Sequence, residues 1–133
     1  MANDCKNTWK VNMASETKVS IKNLYKIFGK DPVGMVTHVQ NGITKKELLE
    51  KYGSVLALND VNIDIPARGI QVIMGLSGSG KSTLIRHVNR LIEPTSGEIF
   101  VGDKNILEMS KLELREFRRH TASMVFQKFA LLP

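Results

Sequence analysis

The sequence predicts an α/β fold in which an antiparallel β portion at the N-terminal end flanks a core strand and helix. Three observations predict it. Apolar and polar residues alternate over residues 19–22 and 61–65, a pattern typical of half-buried strands. The run Ile70–Met74 is mostly apolar and β-branched, as in a strand covered on both faces. A glycine-rich loop follows this run and leads into a helix with one apolar face.

The N-terminal part of the chain divides into a leader and a strand. Residues 1–16 are polar and show no periodicity, so we expect them to form a loose leader. The strand pattern begins at Thr17, continues through Phe28 and breaks at Gly29. We therefore expect the folded domain to span residues 17–133.

Residues 30–54 are expected to form a short helical insert. Asp31 is a suitable N-cap for a first helix, because the proline that follows it fits the first helical position. A second helix is better marked, since Thr44 and Glu47 form the pattern of a capping box. Gly53 is placed to end that second helix.

After the glycine-rich loop, the sequence predicts a helix and then a hairpin. The apolar residues of this helix recur on one face, and they are Leu84, Ile85, Val88, Leu91 and Ile92. A short strand over Glu98–Val101 is expected to turn back at Gly102-Asp103.

A further helix and a final strand complete the prediction. Ser110 and Glu113 form a second capping box. The helix that follows should direct three apolar side chains inward, those of Leu112, Leu114 and Phe117. Thr121–Phe126 has the pattern of a strand, and Gln127 follows it directly.

The composition is that of a globular protein. Of 133 residues, 42% are hydrophobic and 24% are charged. No apolar run approaches the ~20 residues that a membrane-spanning helix needs.

The net charge is +6, but the one basic cluster, Arg115, Arg118 and Arg119, has no interleaved aromatic residues and no accompanying nucleic-acid motif. We therefore expect no nucleic-acid partner, since a phosphate ligand, or an acidic or membrane-bound partner, accounts for the charge equally well.

The glycine-rich loop at residues 75–82 matches the pattern G-x-x-x-x-G-K-[ST] at every fixed position. This pattern binds the phosphates of a nucleoside triphosphate, whose oxygens need several backbone N–H donors at close range. Gly75, Gly78 and Gly80 permit the positive φ angles and the close approach that such a loop requires. A chance match is the alternative, and the predicted strand before the loop and helix after it argue against that alternative.

The polar residues of the loop have predicted roles. The Lys81 ammonium should bind the β- and γ-phosphates and act in catalysis, and the Ser82 hydroxyl should be a ligand of Mg²⁺. The helix that begins near Lys81 directs its N-terminal dipole at the same anion. The residues predicted to bind the phosphates are Gly75, Ser77, Gly78, Ser79, Gly80, Lys81, Ser82 and Thr83.

Longer segments carry a family resemblance. They are IKNLYKIFG before the insert, VIMGLSGSGKST at the loop, NRLIEPTSG after the helix and LREFRRHTASMVFQKFALLP at the C-terminal end. Together they resemble the ATP-binding subunits of ABC importers, and specifically the glycine betaine/proline (quaternary amine) branch. The resemblance covers nearly all of residues 19–133. It implies that residues 17–133 are the N-terminal part of an ABC nucleotide-binding domain, a P-loop NTPase core that uses ATP and Mg²⁺.

The resemblance also assigns roles to residues outside the loop. Gln127 matches the Q-loop glutamine, which in this family contacts Mg²⁺ or the attacking water and links the nucleotide site to the membrane subunit. Gln127 is therefore a predicted catalytic and metal-binding residue, although by itself it would be read as a surface glutamine. Phe28 matches the aromatic residue that stacks on adenine. Tyr25 is the competing aromatic residue, and a buried core role for Phe28 is the alternative.

Several motifs of the family do not occur in these 133 residues. ABC ATPases hydrolyse ATP with a strand that ends in Asp and a catalytic Glu (Walker B), an LSGGQ-type signature and a switch histidine. The run 99–103 resembles such a strand only superficially, because Gly102 and the following Lys104-Asn105 fit a hairpin turn better. We expect the chain to be a truncated N-terminal fragment that does not hydrolyse ATP by itself.

The predicted function of the complete subunit is ATP hydrolysis that powers uptake of glycine betaine- or proline-like compatible solutes. The implied partners are permease subunits and a second ATP-binding subunit, with a substrate-binding protein acting indirectly. The implied location is the cytoplasmic face of the plasma (inner) membrane, as a peripheral protein. Two alternatives stay open, another P-loop NTPase or kinase and a non-hydrolysing ATP-binding fragment.

The histidines show no metal-ligand spacing and are expected at the surface or in packing contacts, namely His38, His87 and His120.

Overall fold

The computed structural model describes residues 17–126, which form four strands and four helices. In chain order these are β1 (Thr17–Phe28), α1 (Pro32–Gln40), α2 (Lys45–Tyr52), β2 (Val55–Pro66), α3 (Lys81–Val88), β3 (Ser96–Val101), β4 (Lys104–Asn105) and α4 (Lys111–His120). The strands form one antiparallel sheet in the order β2-β1-β3-β4. The predicted antiparallel β portion is confirmed. None of the four helices described is long and apolar enough to cross a membrane.

The main core lies between this sheet and helices α3 and α4. Ile21 on β1 is paired with Ile63 on β2 and with Ile99 on β3. Leu84 from α3 and Phe117 from α4 pack into the same buried cluster as Ile21 and Ile99. Burial of these side chains stabilises the position of α3. The N-terminus of α3, which follows the phosphate loop directly, is thereby held in place.

The helices predicted within residues 30–54 are confirmed as α1 and α2. Thr44 Oγ1 accepts a hydrogen bond from the Glu47 N–H (3.2 Å), and the Glu47 carboxylate accepts one from the Thr44 N–H (3.0 Å). Gly53 ends α2 with a φ of 60°. Leu48 is buried in a second cluster that includes Ile27 on β1. The two helices are thus fixed against the C-terminal end of β1.

The predicted strands at Ile70–Met74 and Thr121–Phe126 are wrong, because both segments are irregular. Ile70 is 95% exposed and Val125 is 96% exposed. A strand needs a neighbouring strand whose N–H and C=O groups pair with its own. Within residues 17–126, neither segment has such a neighbour. The apolar pattern of these side chains predicts a strand, but it contains no information about whether a neighbouring strand is present.

Helix α3 is shorter than predicted, since it ends at Val88. Arg90 adopts a φ of 48°, and the Leu91 N–H donates to the Arg86 carbonyl oxygen (2.8 Å), which turns the chain out of the helix. Ile85 and Leu91 are each 44% exposed, so the apolar face predicted for this helix is only partly buried. The stop was not predicted because neither glycine nor proline marks it.

The hairpin follows the prediction, and α4 follows it except at one residue. Gly102-Asp103 turns the chain from β3 into β4, so Asp103 does not end a carboxylate-bearing strand. Helix α4 begins at the predicted capping box, and Phe117 is buried. Leu112, predicted to face inward, is 70% exposed. It lies two residues from Leu114, which places it ~200° away around the helix, on the opposite side.

Candidate nucleotide-binding site

The phosphate loop depends on its glycines for different reasons. Gly78 and Gly80 have φ angles of 78° and 93°, which favour glycine. A Cβ on Gly80 would also lie 2.6 Å from the carbonyl oxygen of Ala57 on β2. Gly75 lies outside the positive-φ region, and there the requirement is space, because a Cβ would lie 2.8 Å from Ser79 Oγ. These residues let the loop fold tightly on itself and against β2.

Lys81 directs its ammonium back into the loop. Its Nζ donates to the carbonyl oxygens of Gly75 (2.7 Å) and Leu76 (2.6 Å) and lies 3.3 Å from the Ser79 hydroxyl. One positive charge is thereby held among loop oxygens at the N-terminus of α3. The first N–H groups of a helix lack intrahelical acceptors and favour an anion nearby. The loop therefore combines a fixed cation with backbone donors, as phosphate binding requires.

The hydroxyl residues lie on the loop and on the first turn of α3. Ser77, Ser79 and Ser82 are exposed, so their hydroxyls are accessible to a ligand. Thr83 is half-buried, and its carbonyl oxygen lies 2.6 Å from Nδ1 of His87. The Ser82 hydroxyl thus stands beside the start of the helix, where a cation that accompanies phosphates would lie.

Phe28 and the phosphate loop line the same cavity, which has a volume of about 380 Å³. Phe28 is the last residue of β1 and is 44% exposed, so its ring is accessible from that cavity. Tyr25, the competing aromatic residue, is 7% exposed and belongs to the cluster beneath α1 and α2. The structure therefore brings Phe28 to the loop and leaves Tyr25 in the core. A core role for Phe28 does not fit its exposure.

Two residues that contact or pair with Phe28, Val55 and Lys26, were not predicted from the sequence. Val55 pairs with Phe28 across the β1–β2 ladder, and residues 55–57 line the cavity with it. Lys26, two residues before Phe28, lies with its Nζ 4.9 Å from the centroid of the Phe28 ring. A prediction of the β1–β2 register would have found Val55. Nothing in the sequence pattern marks Lys26.

His87 is a packing residue on α3, as expected. It is 0% exposed, and its Nε2 has no hydrogen-bond partner among the residues described. Burial lowers the pKa of His87 below 6.5, and the hydrogen bond with the Thr83 carbonyl opposes this only in part. Within residues 17–126, no group of three or more His, Cys, Asp or Glu side chains is placed to hold a metal ion.

Two of the predicted features lie outside the described residues. Gln127 is the first residue beyond them, so its catalytic and metal-binding roles stay predictions. The polar leader at residues 1–16 lies outside them as well.

Known proteins match most of the chain. The family model for the ABC transporter domain matches residues 58–133. The chain is 50% identical over 116 residues to the glycine betaine/proline betaine transport system ATP-binding protein ProV of Escherichia coli (strain K12). This alignment covers 87% of this chain and 29% of ProV. It is 52% identical over 116 residues to the glycine betaine transport ATP-binding protein OpuAA of Bacillus subtilis (strain 168), covering 87% of this chain and 28% of OpuAA. The chain thus spans less than a third of the length of these relatives.

The fold is similar to that of solved ABC cassettes. A dimeric structure of the ATP-binding cassette MJ0796 in a post-hydrolysis state, bound to ADP and Pi, matches with a TM-score of 0.63 and 30% identity. The match covers 86% of this chain and 41% of that one. A second dimeric structure of MJ0796, a bacterial ABC transporter cassette, matches with a TM-score of 0.64. On the family match, the sequence relatives and the fold, this chain belongs to the ABC transporter family.

Proposed function

We propose that the chain binds ATP with Mg²⁺ through residues 75–83. In the complete subunit, ATP hydrolysis would power uptake of glycine betaine- or proline-like solutes through an ABC importer. The observation that carries the proposal is one cavity that contains Phe28 and Lys81, the latter at the N-terminus of α3. An aromatic side chain and a fixed cation in one cavity suit a nucleotide, which has a planar base at one end and a triphosphate at the other.

Lys81 would exchange the loop carbonyls for phosphate oxygens. The ammonium is charged in either case, but a phosphate oxygen carries negative charge and a carbonyl oxygen does not, so phosphate is the stronger acceptor for the same donor. Once on the β- and γ-phosphates, the ammonium would offset the negative charge on the transferred group. The backbone donors of the loop and of the first turn of α3 would hold the remaining oxygens.

The exposed hydroxyl of Ser82 fits a magnesium ion, because Mg²⁺ binds oxygen ligands and commonly shares them with substrate phosphates. Gln127 is the proposed second protein ligand. Bound Mg²⁺ would neutralise phosphate charge and orient the terminal phosphate. Phe28 would stack on adenine and leave the phosphates to the loop.

The partners are proposed from the relatives. ProV and OpuAA are ATP-binding proteins of transport systems, and both MJ0796 structures are dimeric. We infer that the complete subunit pairs with a second ATP-binding subunit and binds permease subunits, peripherally at the cytoplasmic face of the plasma (inner) membrane. A substrate-binding protein would act through the permease. Membership of the ABC family sets aside a kinase, and a chain that binds ATP without hydrolysing it is the remaining alternative.

Reconstitution tests the proposal. The complete subunit, assembled in liposomes with its permease and substrate-binding protein, should take up radiolabelled glycine betaine and release phosphate from ATP. Lys81→Ala should abolish both, and methionine, as the control solute, should not accumulate. ATP binding without hydrolysis in the assembled complex, or uptake that survives Lys81→Ala, would contradict the proposal.

A further inference from the structure

Lys26 is a charged residue beside the proposed base site, and the proposed function gives it no role. It is half-buried on β1, two residues before Phe28. Its Nζ lies 4.9 Å from the centroid of the Phe28 ring, within the ~6 Å range of a cation–π contact. The same atom donates a hydrogen bond to the carbonyl oxygen of Glu93 (2.7 Å). Two contacts therefore fix the ammonium.

The acceptor of that hydrogen bond belongs to a segment that is itself tied to β1. The Thr95 N–H, two residues after Glu93, donates to the Tyr25 carbonyl oxygen (2.9 Å). The Ile27 N–H donates to Thr95 Oγ1 (3.0 Å). The Glu93 carbonyl is thus held close to the strand that carries Phe28. The ammonium of Lys26 cannot leave the Phe28 ring freely, because doing so would break the bond to Glu93.

An ammonium that occupies one face of a ring leaves the opposite face available to a second ring. Phe28 is 44% exposed and lines the cavity that also contains the phosphate loop. The cation draws π-electron density of the ring toward itself. This reduces the repulsion between the free face and the π electrons of a stacked purine. A fixed ring also loses less conformational freedom when the base binds.

We propose that Lys26 is a positioning residue for the base, which acts by fixing the Phe28 ring from the face opposite to adenine. The inference rests on the proposed function, since it requires Phe28 to bind the adenine of ATP. A role in phosphate binding is a different hypothesis. It predicts that Lys26 affects ATP and a base-free triphosphate equally.

The test compares Lys26→Met with Lys22→Met in the 133-residue chain. Lys22 is a matched control because it lies on the same strand, with its Nζ 5.2 Å from the Phe100 ring, and does not line the phosphate-loop cavity. Titrations with Mg²⁺–ATP and with inorganic tripolyphosphate measure the two affinities. We expect Lys26→Met to weaken ATP binding measurably and by no more than about two- to fivefold, the full size of an exposed cation–π contact, because this contact already exists before ATP binds, and to leave tripolyphosphate binding unchanged. Lys22→Met should change neither.

Two further variants make the test specific. Lys26→Arg keeps a cation that contacts aromatic faces and should retain wild-type ATP affinity. In a Phe28→Ala background, Lys26→Met should have no additional effect, because the ring through which Lys26 acts is absent.

Three outcomes would overturn the inference. Unchanged or tighter ATP binding by Lys26→Met would show that Lys26 does not support the base. An equal loss for ATP and tripolyphosphate would show that it acts on the phosphates. A wild-type chain that does not bind ATP would overturn the proposed function as well, which distinguishes the two failures.

Discussion

The Nζ atom of Lys81 lies 2.6 Å from the carbonyl oxygen of Leu76, five residues earlier in the same loop. With the 2.7 Å bond to the Gly75 carbonyl, this contact closes the loop around the ammonium. Both acceptors are uncharged, whereas a phosphate offers charged oxygens, which are stronger acceptors. We therefore expect nucleotide binding to change the partners of Lys81 while its place at the start of α3 stays the same.

The approach of the loop to β2 gives a prediction about stability. Gly80→Ala should lower the free energy of unfolding more than Gly78→Ala does. Both positions have positive φ, which costs a non-glycine residue about 1–2 kcal/mol. Only at Gly80 would the added methyl group meet backbone, the Ala57 carbonyl oxygen at 2.6 Å, whereas nothing lies within 4 Å at Gly78. Urea unfolding of both variants measures the difference, and equal losses would show that space beside β2 is not limiting.

Phe28 is exposed and Tyr25 is buried, so substitution of the first should change ATP affinity and substitution of the second should change folding stability. Phe28→Ala should weaken ATP binding by about 1–3 kcal/mol, the range for a base stacked on an aromatic ring, and leave tripolyphosphate binding unchanged. Tyr25→Leu should instead lower the free energy of unfolding by about 1–3 kcal/mol, because Tyr25 is buried in the core. Nucleotide titration and urea unfolding of both variants are the measurements. Loss of ATP affinity in Tyr25→Leu alone would mean that Tyr25 is the base-binding residue.

Burial of His87 predicts that stability depends on pH. The folded-state pKa of His87 lies below 6.5, chiefly because burial disfavours the charged imidazole. As the pH falls below about 6.5, the unfolded chain therefore binds a proton that the folded chain does not. The free energy of unfolding should fall with decreasing pH in this range, by at most ~1.4 kcal/mol per pH unit. This contribution to stability is fully present above about pH 6.5.

His87→Gln tests the assignment, since it removes the titrating group. The variant should be less stable near neutral pH but should show a smaller slope between about pH 6.5 and 5. The capping residues Glu47 and Glu113 do not interfere, because hydrogen bonds from Thr44 and Ser110 lower their pKa values below 4.5. Their stabilisation is lost only as the pH falls below about 4.5. Urea unfolding across this pH range is the measurement, and an unchanged slope in the variant would contradict the role given to His87.

Features that depend on local chemistry were predictable from the sequence. The capping box of Thr44 and Glu47 uses atoms three residues apart, so a short pattern contains all the information it needs. The turn at Gly102-Asp103 and the left-handed stop at Gly53 are local in the same sense. The phosphate loop was recognised for this reason too, because its fixed residues lie within one segment, 75–82.

Features that depend on distant partners were not predictable. Ile70–Met74 has the side chains of a core strand, but a strand exists only where another strand pairs with it. Val55 enters the site through its register opposite Phe28, and the ammonium of Lys26 is held there by a carbonyl 67 residues further along the chain. The stop of α3 depends on the φ of Arg90, a residue type that rarely adopts that conformation.

Equilibrium titration of the 133-residue chain with Mg²⁺–ATP, in wild type and Lys81→Ala, tests the central claim most directly. Lys46→Ala is the matched control, because that lysine is 83% exposed on α2 and, within residues 17–126, forms an ion pair only with Glu50 at 3.8 Å. A hydrogen bond from a charged group contributes about 1.5–3 kcal/mol, so Lys81→Ala should weaken ATP binding by at least about tenfold, with the fold intact by circular dichroism. Lys46→Ala should bind ATP as the wild type does. Unchanged ATP affinity in a folded Lys81→Ala chain would contradict the assignment of residues 75–83 as the nucleotide site.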